Sequence, residues 1–464
     1  MKDAQPVVLT QWLDGNRFSP YQAFVVLLGF LVTTFDGFDT QAIAFSGPAI
    51  QADFGIGPAG LTPVVTAGVV GMALGALLFG PLGDRYGRRF AVLLSTACFG
   101  CFALATAYAL PIAQLLVGAQ GEEAADTAIA LLILFRFLTG IGMGGATPNV
   151  LALASEFSPE RRRGICMLLA TLGLPVGAII GSAMAPRLIP LHGWESIFII
   201  GGAAPLLFLL LLWWVLPESP QLLAARGDHE GARRLLDKTG GTPALPGGTR
   251  FTLPERQPRV GIGALFAPEL RSSTIAIWLV YFFNWVAWFS LILWLPMALN
   301  AAGMSVVDAA RGTMVLNGAA LVFILPLAWY LPRLPVKQVV AALLLLGVVT
   351  SVAMAAAGSQ WTLMMVLVAL SGLFIGGPQI ALNYLAVAIY PTQLRATGVG
   401  AAIGIGRVGT ILGAAVGGLI LERGVAIFYL SFCAPLAIAA VGALLIRPVS
   451  SARARPGDAV QTNL

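Results

Sequence analysis

The sequence predicts an all-α membrane protein of twelve transmembrane helices in two six-helix bundles, with both termini on the cytoplasmic side. Three observations predict it. Of 464 residues, 58% are hydrophobic and 10% charged, with a mean hydropathy of +0.86, a balance outside that of soluble domains. Apolar runs near the roughly 20 residues that a hydrocarbon-spanning helix needs recur along the whole chain. Basic residues gather in alternate connections between those runs.

The runs cover residues 21–43, 59–80, 90–110, 128–150, 164–186, 196–216, 273–299, 312–331, 337–357, 361–386, 397–421 and 425–446. The first is expected to stay in the protein. It is long, carries Asp36 and Asp39, and has no small-residue cleavage site beside a short apolar core. Cys98, Cys101, Cys166 and Cys433 all fall in apolar runs and read as packing residues, the CxxC included, because no soluble redox fold surrounds it.

With both ends inside, the cytoplasmic segments collect Lys2, Arg17, Arg85, Arg88, Arg89, Arg161 to Arg163, eight residues of the 217–272 connection, Arg333, Lys337, Arg395, Arg447, Arg453 and Arg455. These are 22 of the 27 basic residues. Arg187, Arg311 and Arg423 fall outside, and Arg136 and Arg407 remain within the membrane. Shifting the count by one helix would destroy this asymmetry. The net charge of +6 therefore reflects membrane orientation and calls for no nucleic acid.

The polar stretch 217–272 divides the chain into an N-terminal bundle (1–216), a cytoplasmic linker, and a C-terminal bundle with a short tail (273–464). Within the linker, GDHEGARRLLDKTGG fits a short amphipathic helix, and GGTPALPGGTR is too rich in Gly and Pro to be regular. A faint internal echo supports two related bundles. FSPERRRG (157–164) follows the fourth run and YPTQLRATG (390–398) the tenth, with Pro159 and Pro391 232 positions apart.

Between runs two and three stands GPLGDRYGRR, residues 80–89. Gly83 and Gly87 permit a tight turn, Asp84 can cap a helix or pair with an arginine, and Arg85, Arg88 and Arg89 hold the loop inside. This loop resembles the helix 2–3 loop of the major facilitator superfamily. RFLTGIGMGGATPN (136–149) is similar to that superfamily's helix 4 motif, an arginine followed by closely spaced glycines. Together with DGFDTQAIAF and YPTQLRATGVGAAIGIGRVG, these segments resemble the aromatic acid:H+ symporter family from helix 1 to helix 11, including its 4-hydroxybenzoate and benzoate transporters. The resemblance implies the two-bundle fold, alternating access, and a cytoplasmic latch built on this loop. Glu156, near Arg161 to Arg163, reads either as a gate or latch acid or as one side of a solvated pair, and Arg395 is grouped with the same cytoplasmic gate. Two segments depart from the pattern. WYLPRLPVKQ lacks the acid of a second latch, and 111–127 forms a longer, more acidic external loop.

Ionisable groups at membrane depth cost roughly 2.5–3.5 kcal/mol each on insertion scales, so Asp36 and Asp39 require a partner or a wet cavity. At about 1.5 Å per residue, Asp36 lies at the level of Arg136, and its spacing from Asp39 puts both on one helix face, with Gly37 allowing close approach. His192 and His229 fall in loops, which leaves the two aspartates to carry a proton. Arg136 and Arg407 are the candidate clamps for a substrate carboxylate. The expected cavity lining is Gly37, Asn149, Tyr281, Asn284, Trp288, Gln379, Asn383 and Tyr384, with Trp285 and Trp294 also on helix 7. Aromatic rings stack on an aromatic substrate, and amides bond ring hydroxyls. The series Gly173, Gly177, Gly181 and Gly409, Gly413, Gly417 are small faces for helix packing.

These readings predict a secondary transporter, not an enzyme, that imports a small aromatic carboxylate with a proton across the cytoplasmic membrane. No cofactor beyond the proton and no metal is called for. The expected partners are the aromatic acid, protons and the lipid bilayer. The alternatives are a proton-coupled exporter of hydrophobic compounds, which would have a net negative cavity, and a sugar or polyol porter, suggested by PESPQLLAARG after helix 6. There is no metal-ligand cluster, nucleophile–base pair or phosphate loop in the sequence to support catalysis.

Overall fold

Helix 1 begins where its first residues can be capped. Ser19 and Gln22 form a reciprocal capping box, Pro20 occupies the first turn, and the helix closes at Gly55 with φ +64°. Eleven more apolar helices follow among the described residues, which are 7–118, 121–241, 245–253 and 261–447 of a computed structural model. They are α1 (Pro20–Phe54), α2 (Pro58–Tyr86), α3 (Arg88–Ala107), α4 (Glu122–Phe157), α5 (Glu160–His192), α6 (Glu195–Val215), α7 (Arg271–Ala301), α8 (Val306–Tyr330), α9 (Val336–Ala357), α10 (Trp361–Ile389), α11 (Thr392–Leu421) and α12 (Val425–Leu445).

Several helices outrun their apolar cores. α1 continues through Gln41, Ser46 and Pro48, because the polar Gln41 and Ser46 side chains are buried rather than exposed to lipid. The expected long external loop at 111–127 is a correction. Ala109–Val117 is helical, and Glu122 and Glu123 form the first turn of α4, where acids complement the positive end of the helix.

The glycine series pack equivalent helices in the two bundles. A Cβ on Gly177 would lie 1.8 Å from the Thr34 carbonyl oxygen of α1, and one on Gly413 would lie 2.5 Å from the Val286 carbonyl oxygen of α7. α5 thus seats on α1 as α11 seats on α7, six helices apart.

The linker does more than connect. Val7–Val8 (β1) pairs in parallel with Phe251–Thr252 (β2), and helices Leu9–Gly15, Pro220–Ala225 and His229–Asp237 pack around Leu9, Leu13, Ala232, Leu236 and Phe251. The expected short helix in GDHEGARRLLDKTGG is His229–Asp237. Lys2, residues 242–244 and 254–260, and the tail from 448 with Arg453 and Arg455 lie outside the described residues.

The two halves are joined toward the end that carries the α1–α2 turn. Glu422 accepts a hydrogen bond from the Ala59 amide (3.0 Å) at the uncapped start of α2, and the Gln51 amide meets the Met297 sulfur (3.6 Å). Deeper in, Gln41 and Asn317 exchange two amide hydrogen bonds at 3.1 and 3.0 Å, both residues being buried. In the other half of α11, a Cβ on Gly400 or Gly404 would meet nothing within 4 Å.

Candidate functional site

α1 brings its two acids to different neighbours. Asp39 is fully buried, and its Oδ2 accepts from Arg136 Nη1 at 2.8 Å. Arg136 Nη2 also donates to the Asp39 backbone carbonyl at 3.2 Å, and the guanidinium lies 5.5 Å from the Phe198 ring centre. Asp39 Oδ1 and Arg136 Nε have no hydrogen-bond partner among the described residues. The pair is therefore a buried strut of the N-terminal bundle with one unmatched atom on each side.

This corrects the level assignment, which set Asp36 against Arg136. Cα heights differ by only about 4.5 Å between positions three residues apart, and an arginine side chain spans more than that. With 2% exposure and its charge engaged by Asp39, Arg136 offers no opening for a substrate carboxylate in this conformation.

Asp36, at 2% exposure, accepts from Thr147 Oγ1 of α4 at 2.6 Å and from Thr40 Oγ1, one turn along α1, at 3.2 Å. It lies within electrostatic range of Arg407 across the boundary between the bundles. Arg407 is partly exposed and sits over the Trp285 ring, 5.6 Å from its centre. Trp285 Nε1 donates to Gln379 Oε1. Gln379 Nε2 then donates to Asn383 Oδ1 at 3.2 Å, and Tyr281 Oη donates to the same oxygen at 2.7 Å. An acid, a cation, an indole face and a chain of amides thus converge from α1, α4, α7, α10 and α11. Residues Gly372–Gly376 form a π-helical turn just before Gln379, and Trp288 packs on Gly376 there, which re-aims the second half of α10.

The remaining expected lining residues divide. Tyr384 is 43% exposed. Two expectations are corrected. Gly37 faces α5, where a Cβ would lie 1.9 Å from the Leu174 carbonyl oxygen, so it serves helix packing. Asn149 is fully buried and donates to the Phe79 and Gly145 carbonyls at 3.1 and 2.8 Å, because an amide at that depth must find partners. Asn284 is 1% exposed, and neither of its amide atoms has a hydrogen-bond partner among the described residues.

Asn149 belongs instead to the 80–89 loop. Its Oδ1 accepts from Arg88 Nη1 at 3.4 Å, and Arg88 also pairs with Asp84 at 2.5 Å and Glu156 at 3.5 Å. Gly83 is required by close approach, since its Cβ would lie 1.9 Å from Asn149 Oδ1. Gly87 has φ +123°, and its Cβ would lie 2.0 Å from Glu218 Oε2. Glu218 Oε1 accepts from the Arg88 and Arg89 amides at 2.8 and 3.2 Å, capping α3. Arg89 donates to the Trp213 carbonyl, and Arg85 lies exposed over Tyr86. Arg395 is exposed in the first turn of α11, with no ion pair among the described residues.

Sequence reasoning passed over Thr40, Thr147, Gln41, Asn317 and Glu218. The signal for Thr147 was its place beside Pro148 within the glycine motif; for Glu218 it was the PESP turn.

Residues 29–333 match the sequence profile of the Major Facilitator Superfamily. The chain is 36% identical over 452 residues to the gallate transporter of Pseudomonas putida, covering 95% of this chain and 96% of that protein. It is 36% identical over 418 residues to the 4-hydroxybenzoate transporter PcaK of Pseudomonas aeruginosa, covering 89% of each. The inward open xylose transporter XylE from E. coli superposes with a TM-score of 0.71 at 16% identity, covering 93% of this chain and 98% of that one.

Proposed function

Since the chain belongs to the Major Facilitator Superfamily and to the aromatic-acid transporters within it, we propose that it imports a hydroxybenzoate-type carboxylate together with a proton by alternating access. The protein is a multi-pass membrane transporter and not an enzyme. We place it in the cytoplasmic membrane with both termini inside, on the distribution of its basic residues.

One observation carries the coupling. Asp36 of the N-terminal bundle lies within electrostatic range of Arg407 of the C-terminal bundle, and Arg407 sits over the Trp285 ring. An ionised Asp36 engages the positive charge that a substrate carboxylate needs. Protonating Asp36 frees Arg407 to meet the substrate with two parallel hydrogen bonds, while Trp285 stacks on the ring and the Gln379–Asn383–Tyr281 chain meets its hydroxyl groups. Loss of the proton to the cytoplasm restores the competition and expels the substrate. The same charge balance makes Asp36 the coupling acid, with Asp39 and Arg136 as the rigid wall behind it.

Gln41–Asn317 and Ala59–Glu422 hold the outer end shut in this conformation, and rocking of the bundles about the site must break both. Uptake of labelled 4-hydroxybenzoate and gallate into proteoliposomes, with and without an inward proton gradient, tests the reading. Accumulation driven by the gradient and lost in Asp36→Asn supports it. Failure to accumulate any aromatic acid, with expulsion of a cationic dye, replaces it with the exporter.

A further inference from the structure

Outside the central site, three helix ends enclose a groove of about 470 Å³ on the C-terminal bundle. Ser272, Ile275 and Leu279 line it from α7, Lys337 from α9, and Leu445 and Arg447 from the end of α12. Its two parts differ in chemistry. Lys337 and Arg447 both line it, no carboxylate does so among the described residues, and neither cation has an ion pair among them. The wall is apolar and open, with Ile275 and Leu279 each 41% exposed and Leu445 61% exposed.

A separate contact fixes the backbone of Arg447. The buried Ser273 hydroxyl donates to the Arg447 carbonyl at 2.8 Å and accepts from the Arg447 amide at 3.1 Å. This clasp ties the end of α12 to the start of α7, just where the chain leaves the hydrocarbon. Two unpaired cations beside an apolar trough at the membrane boundary match a ligand with an anionic head and a hydrocarbon tail.

We propose that this groove binds an anionic phospholipid of the cytoplasmic leaflet. The phosphate sits on Lys337 and Arg447, and one acyl chain lies along Ile275, Leu279 and Leu445. Bound there, the lipid bridges α7, α9 and α12 and braces the cytoplasmic rim of the bundle that carries Arg407.

Native mass spectrometry of the full-length protein in detergent tests this. The protein is titrated separately with phosphatidylglycerol and phosphatidylcholine of identical chains, with inorganic phosphate as competitor. Wild type is expected to retain phosphatidylglycerol at concentrations where phosphatidylcholine leaves no adduct, and millimolar phosphate is expected not to displace it. Lys337→Gln/Arg447→Gln is expected to carry one lipid fewer, its affinity lowered roughly 30-fold for the loss of two cations at the surface. Lys337→Glu, a single change at the rim, is expected to lose the same adduct. Equal retention of both lipids by wild type, full displacement by phosphate, or an unchanged adduct count in a folded variant would overturn the proposal.

Discussion

Removing one partner of the Asp39–Arg136 pair exposes how the N-terminal bundle is built. Both side chains are buried, at 0% and 2% exposure, and they share one 2.8 Å ion-pair contact and one bond to the backbone. Asp39→Asn leaves Arg136 charged and without a counter-charge, and Arg136→Gln does the same to Asp39. Breaking a buried pair from one side costs about 3–5 kcal/mol, whereas removing both charges avoids the orphan. Asp39 Oδ1 and Arg136 Nε already lack partners, so the native pair is not ideally satisfied. Asp39→Asn/Arg136→Gln should therefore lie within about 2 kcal/mol of wild type, well short of the sum of the single changes. With an unfolding entropy of about 2.1 cal/mol/K per residue, each kcal/mol moves the melting point of a cooperative unit this long by roughly 1 °C. Intrinsic-fluorescence melting in detergent should show losses of about 3–5 °C for each single variant and partial recovery in the double. Single losses below about 1 °C, or a double variant as unstable as the sum, would refute the strut.

Other outcomes follow from the same geometry. Gly87→Ala combines a φ of +123° with a clash against Glu218, and should lower the melting point and abolish uptake, a strain of about 1–3 kcal/mol. Glu218→Ala removes the cap on the Arg88 and Arg89 amides and should cost about 1 kcal/mol, read by the same melting assay. Asn317→Ala leaves Gln41 unpaired at the interface of the halves, and should raise labelling of a cysteine placed at Ala59 from the outer side by weakening closure about 1–3 kcal/mol. Arg407→Lys keeps the charge but loses the planar fork over Trp285, and should raise the KM for 4-hydroxybenzoate roughly tenfold, measured by initial uptake rates.

The helices were legible because hydrocarbon tolerates little but closed backbone, and long apolar runs have no other use. Their ends were less so. The first apolar run ends at 43, yet α1 continues to Phe54, with Ser46, Gly47, Pro48 and Ile50 buried. The 80–89 loop was legible as a turn with acids and arginines, while its anchor Glu218 lies 130 positions beyond Arg88 and no local pattern marks it. At the site, charge alone singled out Asp36, Asp39, Arg136 and Arg407, but not their pairing. One helical turn decides which acid meets which arginine, and side-chain reach exceeds the resolution of counting residues. Threonines such as Thr40 and Thr147 carry no charge to betray them, and they gain importance only from the carboxylate beside them.

In the proposed cycle, protonation of Asp36 releases the positive charge of Arg407 for the substrate carboxylate. The most direct test is substrate exchange and gradient-driven accumulation measured side by side in Asp36→Asn proteoliposomes. The variant, with Arg407 permanently released, should still exchange internal for external 4-hydroxybenzoate but no longer accumulate it under an inward proton gradient. Accumulation at the wild-type level in Asp36→Asn would contradict the claim and move the coupling proton to another group.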